Sequence, residues 1–298
     1  MKEKNSDVFN VAVLQMTPVF FDNAGTLEKV ETSLVELKKQ ECRLVVLPES
    51  LFPGYPRGFT FGASVGRRTE EGKSLWLKYH QRSVSREGDI AKRLAQLSAE
   101  FDLDMIVGVT ERDGISSSLY CSSFHFQKGS LIHVHRKIKP TGTERVIWGE
   151  GDGRCIRSVD TGCGRVGSLI CWENYMPEAR MKLYRSGVDL YVAPTADARD
   201  SWTASMRHIA CESRSYVLSS NQYFTKGDYD PELQALLEED QPEVLCRGGS
   251  CIVSPYGEIL AGPLYDQEGS LIAEIDRNEI IRSRMDFDVT GHYRSELL

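Results

Sequence analysis

Arg43-Leu-Val-Val-Leu-Pro-Glu49 is an almost uninterrupted apolar run that stops at a proline and delivers a carboxylate. Two later runs have the same form. Leu131-Ile-His-Val-His-Arg136 is followed by Lys137, and Ser168-Leu-Ile170 by Cys171. Apolar runs of this kind suit strands covered on both faces. Others of strand length are Phe9–Leu14, Met105–Val109, Ser122–Gln127, Arg165–Ile170, Val188–Ala193, Tyr216–Ser219, Gly249–Val253 and Leu271–Ile275.

Helical periods fall between these runs. In 26–40 the apolar positions are Leu27, Val30, Leu34 and Leu37, and in 89–101 they are Ile90, Leu94, Leu97 and Phe101. In 201–215 Trp202, Met206 and Ile209 share a face, with Ser201 as the expected N-cap. Pro177 and Gly187 bracket a further helix at its start and just past its end. Strands intermixed with helices predict a layered α/β fold. The stretches 52–68 and 226–247 read as long loops, and loops of that length in a compact domain are often functional. Neither resembles an interdomain linker, so one domain over 1–298 is expected, its core about 9–293.

The chain has 298 residues, 36 basic against 43 acidic side chains, and a net charge of −7. That balance argues against nucleic acid as a partner, since phosphate binding relies on a basic surface. No apolar stretch approaches a membrane span, and Met1–Asn10 has no signal-peptide pattern, so a cytoplasmic protein is expected. The eight cysteines show no C-x-x-C spacing and are expected to be reduced thiols.

A carboxylate, a lysine and a cysteine at three strand ends is the strongest chemical signal, because sites in open α/β sheets gather there. Most cysteines in apolar strands are small buried hydrophobes. Cys171 differs: it ends a strand and leads towards the helix at Pro177, a setting expected to favour the thiolate. The six histidines offer it no obvious base, whereas Glu49 fits that role. Two patterns are set aside. Gly162-Cys-Gly-Arg-Val-Gly167 matches G-x-G-x-x-G, yet its glycines lead into a strand instead of opening a helix, so a β-turn is expected. His133 and His135 share a strand face, but no third metal ligand stands at clear spacing.

Three segments carry a family likeness: Leu47-Pro-Glu-Ser-Leu-Phe-Pro-Gly-Tyr-Pro56, the run from His135 to Gly153, and Leu169-Ile-Cys-Trp-Glu-Asn-Tyr-Met-Pro177. Tyr191–Asp197, Arg247–Gly257 and Gly291-His-Tyr293 add to it. The chain resembles the nitrilase superfamily of carbon–nitrogen hydrolases, and within it the true nitrilase branch. The resemblance implies a four-layer α-β-β-α sandwich that pairs into a longer α-β-β-α-α-β-β-α block. It implies Cys171 as nucleophile, Glu49 as general base and acid, and Lys137 as stabiliser of the tetrahedral intermediate. Glu144 is implied to orient the lysine, Trp172 and Glu173 to support the centre, and Tyr55, Trp148, Asn174 and Thr195 to line the substrate pocket.

The activity implied by the resemblance is hydrolysis of a small organic nitrile to the acid and ammonia, with no metal or organic cofactor. The alternative is an amidase or N-carbamoyl hydrolase with the same triad; a more remote one is a non-catalytic scaffold of the same fold. A homodimer across the helix after Cys171 is expected, with Met176, Met181, Leu183 and Tyr184 supplying apolar surface. The chain ends soon after Tyr293, so a dimer or small oligomer is expected rather than an extended spiral.

Overall fold

The computed structural model describes residues 7–238 and 240–294; residues 1–6 of the polar start and 239 and 295–298 of the expected domain lie outside them. The strands in chain order are β1 (Val8–Gln15), β2 (Cys42–Val46), the short β3 (Ala63–Ser64) and β4 (Arg67–Arg68), β5 (Asp104–Arg112), β6 (Leu119–Gln127), β7 (Ser130–Arg136), β8 (Val159–Thr161), β9 (Gly164–Ser168), β10 (Leu190–Thr195), β11 (Tyr216–Asn221), β12 (Tyr223–Thr225), β13 (Val244–Val253), β14 (Ile259–Tyr265) and β15 (Gly269–Asp276). The helices are α1 (Asn23–Lys39), α2 (Glu70–Arg82), α3 (Asp89–Glu100), α4 (Pro177–Arg185), α5 (Asp200–Ser213), α6 (Pro231–Gln234) and α7 (Arg277–Asp286).

One sheet has six strands in the order β15-β1-β2-β5-β6-β7, the other seven in the order β12-β13-β11-β10-β9-β8 with β14 on β13. The strands at the heart of each sheet run parallel, β1-β2-β5 in one and β9-β10-β11 in the other. Their alternation explains the layers. In β1, Ala12 and Leu14 pack with Val30, Leu34 and Leu37 of α1, whereas Val11 and Val13 pack with Val166, Val192 and Leu218 of the second sheet. In β10, Tyr191 and Ala193 face Leu183 of α4 and Met206 of α5. Apolar on both faces, these strands build the α-β-β-α sandwich that the continuous apolar runs predict.

Several elements depart from expectation. Ser201 does not cap α5, which begins one residue earlier behind Arg199. The edge strand β14 contains Gly262 and Pro263, and a proline is tolerated there because an edge leaves one side of the ladder unpaired. Helices α2 and α7 bury few apolar side chains, so their periods are faint. Leu183 and Tyr184 are buried inside the subunit, in the core beneath α4. They are therefore unavailable to a dimer contact; Tyr175 is exposed and Met176 half-buried. Gly162 and its neighbours form the turn between β8 and β9, as expected.

The sheet also fixes where Glu49 lies. Leu47 N–H donates to Ile106 O and Leu51 N–H to Gly108 O, each at 2.8 Å, so β5 grips the chain on both sides of Glu49. A Cβ at Gly108 would lie 2.1 Å from Pro48 O and 2.6 Å from Glu49 Cα. Gly108→Ala must therefore push two backbones apart. It is expected to lower stability by roughly 1–3 kcal/mol, as overpacking does, and to displace Glu49. Chemical denaturation checks this; an unchanged midpoint would mean that the backbones do not meet here.

Candidate active site

Three loops bring the strand-end residues together. Lys137 follows β7 and is held by its N–H to Cys121 O and by Gly151 N–H to its own carbonyl, each at 2.8 Å. Cys171 is the third residue after β9 and opens the 3-10 helix Cys171–Tyr175. Its φ of +51° is the left-handed conformation that non-glycine residues adopt only under constraint. The constraint is visible on both sides. Asn174 Nδ2 donates to Leu169 O at 2.9 Å and to Cys171 O at 2.8 Å, while its Oδ1 accepts from Tyr191 at 2.7 Å. Glu173 accepts from Ile170 N–H at 2.6 Å, from Ile138 N–H at 2.7 Å and pairs with His135 Nε2 at 2.8 Å.

At the centre, Lys137 Nζ donates to Glu49 Oε1 at 2.7 Å and to Glu144 Oε2 at 2.8 Å. Lys137 and Glu49 are fully buried. An ammonium has three donors, so two carboxylates leave it one more. Glu144 is fixed in turn by Thr141 N–H at 2.6 Å and the Tyr55 hydroxyl at 2.7 Å. Glu49 Oε1 also takes a long bond from the Cys121 thiol at 3.4 Å, whereas Oε2 is buried with no hydrogen-bond partner. A buried acceptor left open is a ready place for a proton. The Cys171 sulfur accepts from Thr195 Oγ1 at 3.3 Å.

The charges follow from burial. Burial raises the pKa of Glu49, which Lys137 partly offsets. Burial opposes a charged Lys137, but Glu49, Cys171 and Glu144 outweigh it and hold the ammonium well above its usual range. Burial raises the Cys171 pKa, with Glu49 and Glu144 adding to it against Lys137. The setting expected to favour the thiolate is thus corrected: burial and two carboxylates outweigh one ammonium and push the Cys171 thiol up, and the helix at Pro177 starts too late to help. What the array can do is move the thiol proton to Glu49 as the sulfur attacks.

A cavity of about 560 Å³ opens over the sulfur, with Tyr55, Glu144, Cys171 and Trp172 in its wall. Trp148 lies behind Tyr55, ring centroids 5.6 Å apart, and borders a smaller recess. Thr195 touches the sulfur without lining the cavity, and Asn174 is buried beneath the elbow, the left-handed turn at Cys171. Asn174 is therefore a support of the Cys171 backbone and not a pocket residue, a correction whose cause is its three hydrogen bonds to buried groups. Residues that the sequence does not single out include Arg57 and Arg199 in the wall, and Gln222, whose Nε2 donates to Glu49 O at 2.6 Å; Arg247, which opens one of the matching segments with no role attached to it, lines the wall as well. Arg57 stands two residues beyond Tyr55 in a stretch that reads as a functional loop, which is the one signal for it. Trp172 is pinned across the mouth by Asp197, 2.8 Å from its Nε1, and by Arg199 over its ring. His133 and His135 take separate partners, Cys155 O and Glu173. No group of three or more metal-ligating side chains forms among the described residues.

Burial opposes a charged His135, but Glu173 and neighbouring Cys155 raise its pKa to about 9, above the ordinary 6.5. A raised folded-state value stabilises the fold fully below pH 6.5, and the contribution is lost as pH rises through about 9. Unfolding midpoints measured from pH 6 to 10 should fall across that window, and His135→Gln should flatten the fall. An unchanged slope in the variant would show that His135 is not charged in the folded protein.

The carbon–nitrogen hydrolase family model matches residues 10–285. The chain is 45% identical over 292 residues to the bifunctional nitrilase/nitrile hydratase NIT4B of Nicotiana tabacum, covering 96% of this chain and 83% of that one. It is 43% identical over 285 residues to an aliphatic nitrilase of Sinorhizobium fredii, covering 96% and 92%. Among solved structures, a carbon–nitrogen hydrolase from Helicobacter pylori G27 superposes with a TM-score of 0.77 at 22% identity, covering 98% and 96%.

Proposed function

The chain belongs to the carbon–nitrogen hydrolase family, in its nitrilase branch, and on that premise we propose that Cys171, Glu49 and Lys137 hydrolyse an organic nitrile to its carboxylic acid and ammonia. The observation that carries the roles is the buried array under the sulfur, Glu49–Lys137–Glu144, with Glu49 Oε2 open. Glu49 takes the thiol proton as sulfur attacks the nitrile carbon, and passes it to nitrogen, which gives a thioimidate. Lys137 and the Trp172 N–H, in the first turn of a 3-10 helix where backbone donors are free, stabilise the charge that develops. Water activated by Glu49 adds, the C–N bond breaks and ammonia leaves. A second water splits the thioester and frees Cys171.

The first tetrahedral intermediate has a second exit: breaking C–S instead of C–N releases the amide. The tobacco relative's name joins nitrilase to nitrile hydratase. Burial and two carboxylates disfavour the thiolate that this exit releases, which supports the acid as the product.

Other features support the wider reading. Glu49 and Lys137 come from one sheet and Cys171 from the other, so the site needs one intact domain. No described helix is long and apolar enough to cross a membrane, and none of the eight cysteines is in a disulfide, which suits a reducing cytoplasm. We place the subunits of a homodimer against one another near exposed Tyr175. The mouth carries Arg57, Arg199 and Arg247 with Asp197 and Asp266, which favours small nitriles with a polar tail.

Ammonia release on matched pairs, phenylacetonitrile with phenylacetamide among them, should show larger kcat/KM for each nitrile. Faster amide hydrolysis across several pairs would move the chain to the amidases and leave the site unchanged. Cys171→Ala should abolish turnover with an unchanged circular dichroism spectrum. Lys137→Arg should lose at least about two orders of magnitude in kcat, because a planar fork cannot replace a compact ammonium between two carboxylates. Near wild-type turnover in either variant would overturn its role.

A further inference from the structure

A second cavity, of about 590 Å³, shares no lining residue with the first. Its wall includes Cys155, His133, Arg136, Arg154 and Arg157. Cys155 is half-buried there. His135 is fully buried; its Nε2 is bonded to Glu173, and its Nδ1 has no hydrogen-bond partner. The Cys155 sulfur is close enough to feel that ring. Glu173, His135 and Cys155 thus form a carboxylate–imidazole–thiol row that runs from the elbow of Cys171 to a separate cavity.

The row makes Cys155 unlike the other thiols. His135 lowers its pKa against burial, with Arg136 N–H adding to the effect. Cys42, Cys121, Cys163, Cys171, Cys246 and Cys251 are all pushed up by burial. The cavity wall carries Arg86, Arg136, Arg154 and Arg157 against Glu150 and Asp152, and Arg157 makes no ion pair among the described residues. Arg86 and Arg136 are paired with Glu111 and Asp113, and Arg154 with Asp152, so Arg157 is the guanidinium left to draw anionic reagents to this wall.

We propose that Cys155 is a second reactive thiol, a site of thiol–disulfide exchange with anionic disulfides such as oxidised glutathione, whose occupation is felt at the catalytic centre through His135 and Glu173. The Cys155 thiol gives up its proton, and its sulfur attacks one sulfur of the disulfide. That S–S bond breaks, a new one forms to Cys155, and the departing thiolate takes up a proton, so nothing is oxidised overall. The attached group then presses on His135, whose partner Glu173 holds Ile170 and Ile138, the neighbours of Cys171 and Lys137.

The test treats the protein with oxidised glutathione. In Cys171→Ala, peptide mapping should find the adduct on Cys155 at least about tenfold faster than on Cys211, the other half-buried thiol. In the wild-type chain kcat should fall about fivefold with KM little changed, and dithiothreitol should restore it. Cys155→Ser should keep its basal kcat and lose the sensitivity. Equal labelling of Cys155 and Cys211 would overturn the site. An adduct on Cys155 without a change in kcat, or inhibition that persists in Cys155→Ser, would overturn the coupling. The labelling arm stands apart from the nitrilase reading, and only the kinetic arm rests on it.

Discussion

One buried carboxylate holds the two sheets in register where their strands end. Glu173 Oε2 accepts from Ile170 N–H and pairs with His135, and its Oε1 accepts from Ile138 N–H. Ile138 follows Lys137, and Ile170 precedes Cys171. No strand pairing joins these segments, since β7 and β9 belong to different sheets. A carboxylate can accept all three bonds because its oxygens offer about four lone-pair sites. An amide in its place brings two donors into a setting that already supplies them. Each buried donor left unpaired costs about 1–3 kcal/mol, so the position of Cys171 over Lys137 depends on this side chain.

The charges beneath the sulfur are better understood through reactivity than through stability. A buried ion pair seldom improves on well-packed apolar side chains, because desolvation offsets the attraction. Removing one partner is different: about 3–5 kcal/mol is lost when a buried charge is left alone. The Glu49–Lys137–Glu144 row therefore holds itself in place without adding much net stability. It supplies fixed charges in a medium where they act strongly and need no reorganisation.

The frame of this fold was legible because it rests on one physical pattern. Strands buried on both faces are continuously apolar, as the end of β2 shows, whereas β7 is a half-buried edge strand and β9 carries the exposed Arg165; all three nevertheless end shortly before Glu49, Lys137 and Cys171. The resemblance added Glu144 and the supporting role of Glu173. Less was legible where a residue acts through bonds to distant groups. Asn174 stands beside Glu173, and nothing local tells that it turns under the elbow to the Leu169 carbonyl and to the Tyr191 hydroxyl. Arg247 and Gln222 reach the site from β13 and the end of β11, which only the sheet order brings near. Helix α2 had a local signal, Thr69 capping Gly72 N–H ahead of Leu75 and Tyr79, but its mostly charged surface hides the period.

Acidity alone does not distinguish the proposed nucleophile from the chain's other thiols. Cys121 lies 3.4 Å from Glu49 Oε1, and burial raises its pKa just as it raises that of Cys171. What separates them is geometry. Cys121 lies within β6, its carbonyl engaged by Lys137 N–H, and it borders no part of the first cavity. Cys171 sits at a left-handed turn that lifts its sulfur out of the strand and into the cavity wall. A thiol that keeps its proton until substrate arrives is also protected, since thiolates are the species that oxidise and alkylate. What sets Cys171 apart among the eight cysteines is thus a backbone turn that places it in the wall of the first cavity.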